Sequence, residues 1–140
     1  MNNWFFLALL SASFAALTAI FAKMGIKGVD SDLATAIRTV VILTVAWGIV
    51  FFRNKMSGIF QLTSQNWMFL LFSGVATGLS WIFYFRALQA GKVSQVAPVD
   101  KLSVALAIIL SVIFLGETIS WKSVAGAAFI ILGTLIIAWQ

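Results

Sequence analysis

The sequence predicts an all-α integral membrane protein with five transmembrane helices, and three observations carry that prediction. First, 62% of the residues are hydrophobic and only 9% are charged, whereas a soluble domain carries roughly 25% charged residues. Second, the mean hydropathy is +1.08, which is more apolar surface than a soluble fold of this size can bury. Third, five apolar runs each approach the roughly 20 residues that cross a hydrocarbon core.

The runs follow one another with short connections. The first, Trp4–Met24, resembles a secretory leader only superficially. Its start, Met1-Asn2-Asn3, has no Lys or Arg, and the apolar stretch to Ala22 outruns a leader core of about 7–15 residues. A retained spanning helix is the expectation. The second run is Leu33–Phe52, with Asp32 as its expected N-cap after the turn Gly25–Asp32. The third, Trp67–Leu88, follows the longest connection, Arg53–Asn66. The fourth is Val96–Leu115, and the fifth is Trp121–Trp139 after a tight turn, with Thr118 or Ser120 as cap. No connection has room for a soluble domain, so residues 1–140 read as a single transmembrane domain.

Composition also excludes chemistry. There is no cysteine and no histidine, which removes disulfides, thiol catalysis, imidazole acid–base work and most zinc or haem sites. With no nucleophile–base pair, an enzyme is not expected. No cofactor or metal is called for. The net charge of +5 reflects Lys and Arg in loops near a membrane surface, not a nucleic-acid interface.

The distribution of those charges bears on orientation. Five spans put the termini on opposite sides. The side of the N-terminus holds Arg53, Lys55 and Lys122; the other holds Lys23, Lys27, Arg86 and Lys92, with Arg38 and Lys101 just inside the membrane. The positive-inside rule needs a clear excess, and this one is weak. The chain either inserts one way with an ambiguous signal, or inserts both ways and pairs antiparallel.

Helical periodicity picks out candidate residues. Ser73, Thr77, Ser80 and Tyr84 share a face of the third helix. Beside them run Gly74 and Gly78, continued by Trp81 and Phe85. The face serves either close helix packing or a cavity wall. Asp100, Ser103, Ala107 and Ser111 share a face of the fourth helix, with Lys101 turned by about 100°, so that Asp100 and Lys101 are each expected to find a partner of their own. Ser11, Ala15 and Thr18 share a face of the first helix, and Gly126 and Gly133 mark a packing or dimerisation surface on the fifth. Intramembrane charges are costly and conventionally mark function, so Arg38, Asp100 and Lys101 form a second candidate group. An Arg38–Asp100 ion pair is one arrangement; snorkelling of Arg38 and Lys101 to lipid headgroups is the other. Glu117 is expected to pair with Lys122 at the opposite surface.

These residues occur in a familiar order. Lys23 closes the first helix, Ala34 to Arg38 gives A-x-x-x-R in the second, and Ala87-Leu88 ends the third. Ser94-Gln95-Val96-Ala97-Pro98 leads into the fourth, Leu115-Gly116-Glu117 closes it, and Gly126 and Gly133 space the fifth. The ordered set resembles a single EamA repeat of the drug/metabolite transporter superfamily, in particular its short five-helix bacterial and archaeal members. Most members hold two such repeats, inverted relative to each other, and the positions after Pro98 are usually apolar where this chain has Asp100-Lys101. The resemblance implies one half of an inverted-repeat EamA-type transporter: a secondary transporter, an exporter, of small metabolites or drugs. It would work by alternating access, in a bacterial inner membrane or archaeal plasma membrane. A lone repeat regains the inverted architecture as an antiparallel homodimer, or as a heterodimer with an inverted homologue.

The resulting expectation is a central solute cavity walled by Thr18, Thr77, Ser80, Trp81, Tyr84, Ser103 and Ala107, with Trp81 and Tyr84 holding an apolar or cationic solute by ring contact. Arg38, Asp100 and Lys101 form a charged gate, present twice in a dimer, and Asp100 is also a candidate proton carrier. Two alternatives stand beside this. One is a cation/proton antiporter of the small multidrug resistance kind, although the first helix lacks an acid between Trp4 and Ala22. The other is a non-transporting membrane accessory subunit, in which the stripes only pack helices.

Overall fold

The computed structural model describes residues 3–139. Met1, Asn2 and Gln140 lie outside the described residues, and with them the part of the leader argument that rests on Met1 and Asn2. The described chain is helical: α1 (Trp4–Gly25), α2 (Ser31–Phe52), a 3₁₀ turn (Met56–Gln61), α3 (Ser64–Ala90), α4 (Val93–Asp100), α5 (Leu102–Leu115) and α6 (Trp121–Ala138). Taken together, α4 and α5 form one span-length stretch, Val93–Leu115, so five helical segments are long and apolar enough to cross a membrane. The chain forms two compact units. One is Ala22–Gln89; the other joins the N-terminal run through Phe21 to the chain from Ala90 onward.

In the Ala22–Gln89 unit, α2 starts earlier than expected. Asp30, not Asp32, is the N-cap: its carboxylate accepts from the backbone N–H groups of Asp32 and Leu33, both at 3.0 Å. Two of the four orphan donors of the helix start are thereby satisfied, which frees Asp32 in the first turn for another partner. At the other end Asn54 adopts φ 52°, a left-handed stop that asparagine tolerates, and the Lys55 N–H returns to the Val50 carbonyl at 3.0 Å. The longest connection holds the 3₁₀ turn. Thr63 and Asn66 then cap α3 reciprocally: the Asn66 side chain accepts from the Thr63 N–H at 3.0 Å, and the Thr63 hydroxyl accepts from the Asn66 N–H at 3.2 Å. The buried residues of this unit are Ile26, Ser31, Thr35, Phe85 and Leu88, at the α1–α2 turn and the end of α3. The Thr35 hydroxyl donates to the Ser31 carbonyl at 2.8 Å, so its burial leaves no polar group unpaired.

In the other unit, α4 and α5 both pack on α6. The fourth span is not the uninterrupted helix expected for Val96–Leu115. Pro98 has no N–H to give and its ring crowds the preceding turn. The chain tightens just after it, with Lys101 N–H to Pro98 O and Val104 N–H to Lys101 O, each at 3.0 Å. The Thr134 hydroxyl of α6 donates to the Pro98 carbonyl at 3.2 Å, and Thr134 is buried there. Gly116, at φ 68°, ends α5, and Ser120 caps α6 by accepting from the Ser123 N–H at 3.2 Å. Glu117 and Lys122 form no ion pair, contrary to expectation. The left-handed turn folds Glu117 back over α5, where its N–H meets the Ser111 carbonyl at 3.3 Å, whereas Lys122 lies in the first turn of α6.

Candidate functional site

The site grows from the first turns of α2 and the last turns of α3. Asp30 fixes where α2 begins, which sets Arg38 two turns inside the span. On α3, Trp81 and Phe85 are four residues apart and therefore stacked on one face. The Arg38 guanidinium carbon lies 4.5 Å from the Trp81 ring centroid and 5.2 Å from that of Phe85. Each such contact contributes about 0.5–2 kcal/mol, the larger value where water is excluded. Phe85 is 2% exposed and held firmly, with Tyr84 edge-on to it at a centroid distance of 6.4 Å.

One turn nearer the helix ends, Arg86, Asp32 and Lys23 have partners. Arg86 forks onto Asp32, with Nε to Oδ1 at 3.0 Å and Nη2 to Oδ2 at 2.6 Å. This is the planar two-bond geometry that favours arginine over lysine. The Lys23 ammonium donates to the Leu88 carbonyl, and the Gln89 amide donates to the Val29 carbonyl at 3.0 Å. Both draw the α1–α2 turn onto the end of α3, where helix carbonyls lack intrahelical partners. The two carboxylates of this unit are thus committed, Asp30 to the α2 cap and Asp32 to Arg86. Arg38 rests on rings and has no acidic partner in its own unit.

Sequence reasoning had put Arg38 in a gate and Trp81 and Tyr84 on a solute wall; the structure brings them into one cluster. Phe85, which the sequence places on the face of Trp81 but outside the wall candidates, belongs to that cluster. Of the other wall residues, Thr77 is exposed and its hydroxyl donates to the Ser73 carbonyl at 2.8 Å, while Ser80 is exposed on the same helix. Thr18, half-buried, and Ser103 and Ala107, both exposed, belong to the other unit. Asp100 and Lys101 were each expected to find a separate partner. Instead they pair with each other, Nζ to Oδ2 at 3.3 Å, because the helix is interrupted at Lys101 and the long lysine side chain spans the offset.

The glycines of the small-residue stripes have space beside their backbones. A Cβ added at Gly74, Gly78, Gly126 or Gly133 would meet no heavy atom of another element within 4 Å. The close approach that glycines permit is open to lipid or to another chain.

A family model described as the EamA-like transporter family matches residues 2–139. A relative from Sinorhizobium sp, named "Uncharacterized transporter in cobO 3'region", is 49% identical over 137 residues, which is 98% of this chain and 97% of the relative. No solved structure matches.

Proposed function

The chain belongs to the EamA-like transporter family, as a multi-pass membrane protein, and on that footing we propose that it exports small metabolites or drugs as an antiparallel dimer working by alternating access. The observation that carries the reading is the family match along nearly the whole chain, combined with an odd number of span-length helices. An odd-numbered repeat becomes an inverted pair when a second copy inserts upside down. The weak Lys/Arg asymmetry between the two faces supports both insertions. The open glycine faces of α3 and α6 support a second chain as their neighbour. An inverted homologous subunit would serve the same geometry. The membrane is the bacterial inner membrane or the archaeal plasma membrane.

In this reading residues 1–140 act as one transmembrane domain. Solute meets Trp81, Tyr84, Thr77 and Ser80 of the Ala22–Gln89 unit; Thr18, Ser103 and Ala107 are solute-contact candidates of the other unit. The Asp100–Lys101 pair sits where the fourth span breaks, and two copies give one such pair near each face. Closing one face keeps that pair dry and bonded; opening hydrates it. The test is flux of candidate solutes in proteoliposomes, with and without a pH gradient. Wild-type protein is expected to move solute. Asp100→Asn is expected to slow flux about tenfold, in line with loss of one charge-assisted bond, and to abolish the response to the gradient. An unchanged gradient response in Asp100→Asn rules out Asp100 as a proton carrier. No flux of any solute contradicts the transporter reading.

A further inference from the structure

We infer that the transported solute carries an anionic head, bound by Arg38, on an apolar or aromatic body that lies against Trp81 and Tyr84; this rests on the transporter reading above. The sequence alone favoured a cationic or neutral solute, because ring faces attract cations. In the structure that attraction is already taken: the Arg38 guanidinium covers the Trp81 ring at 4.5 Å and reaches Phe85 at 5.2 Å. A cationic solute would have to displace a fixed positive charge, or sit beside it in a medium that screens poorly.

For an anion the same arrangement is favourable. Stacking engages the flat face of a guanidinium and leaves its N–H donors at the edge. Neither carboxylate of the unit takes those donors, since Asp30 closes the α2 start and Asp32 is forked by Arg86. Phe85, almost fully buried, is a second ring neighbour of the same guanidinium at 5.2 Å, which leaves the N–H edge for an incoming carboxylate or phosphate. The neighbouring Arg86 makes a useful contrast. It is equally charged and belongs to the same unit, but its fork is already filled by Asp32. Of Arg38 and Arg86, Arg38 is the one with capacity for an anion.

The experiment uses the full chain in phosphatidylcholine nanodiscs and three probes of one shape: phenylacetate, 2-phenylethanol and phenethylamine. Equilibrium dialysis reads their Kd values. Phenylacetate is expected to bind about tenfold tighter than phenethylamine, the scale of a hydrogen bond to a charged group. Arg38→Gln is expected to bring the two within about twofold, and Arg38→Lys to retain the preference in weaker form. The wild-type ranking stands without any variant, so a folding defect in Arg38→Gln leaves the test intact. Equal or tighter binding of phenethylamine by wild type overturns the inference, as does an undiminished anion preference in a folded Arg38→Gln.

Flux of the amine alone in proteoliposomes overturns the inference and leaves the transporter reading standing; absence of binding and flux for all three overturns both. Repeating the measurement in phosphatidylglycerol nanodiscs separates a free anion from a lipid headgroup. Phenylacetate affinity is expected to fall there no more in wild type than in Arg38→Gln, by the repulsion of the anionic surface alone. A larger fall in wild type assigns Arg38 to the anionic lipid headgroup and overturns the solute site.

Discussion

The two ends of the α2–α3 pair are built differently. At the end where α2 starts and α3 stops, nearly every polar group has a named partner. Asp30 caps α2, Asp32 and Arg86 fork, Lys23 bonds Leu88, and Gln89 bonds Val29. Phe85 and Leu88 are buried beneath them. Along the opposite stretch large apolar side chains face outward, with Phe72 65% and Phe52 87% exposed. The first end is held by directional bonds at the ends of the spans, the two-bonded Asp32–Arg86 pair among them. The second carries residues that gain nothing from one another over what lipid provides, because lipid tails are as apolar as leucine. Arg38 stands on the border, anchored by rings from the tied end.

That contrast is open to direct attack. Leu88→Ala is expected to have the largest effect, about 2–5 kcal/mol, because Leu88 is 0% exposed and its loss leaves a cavity. Unfolding of the full chain in detergent, followed by circular dichroism, measures it. Asp30→Ala comes next at about 1 kcal/mol, the usual cost of removing an N-cap acceptor, read in the same assay. Phe72→Ala is expected to fall within about 0.5 kcal/mol of wild type, as a surface change away from any packed feature. If Phe72→Ala costs as much as Leu88→Ala, the exposed face has a partner in detergent and the contrast fails. If it is silent in detergent but lowers dimer recovery in a bilayer, the partner is a second chain and the contrast sharpens.

Much of this was legible in the residues. Runs such as Trp4–Met24 and Leu33–Phe52 fall within two residues of the observed helices, because spanning a bilayer demands a length that no short-range detail overrides. Finer features depend on choices between equivalent neighbours. Asp30 and Asp32 are both good caps, and only the path of the turn through Gly28, at φ 71°, decides for Asp30. Pro98 pointed to the break at Lys101, but a proline near a helix start is also tolerated, so its presence alone did not locate an interruption. The Arg38 cluster was hidden for another reason. Periodicity places residues on the face of one helix and says nothing about which face of another helix it meets. Arg38 and Trp81 are 43 positions apart, and ties made elsewhere, Asp32–Arg86 and Gln89–Val29 among them, bring their helices together.

The central claim is that one five-helix repeat works with an inverted second copy. The most direct measurement is the orientation of the C-terminus in cells, read by paired fusion tags, one active only in the cytoplasm and the other only outside it. The account predicts signal from both tags at comparable levels, with a shift to one side when Lys55 and Lys122 are both replaced by Gln, since that removes two of the three charges on the N-terminal face. Signal from a single tag, in a chain that forms a functional homodimer, would contradict it.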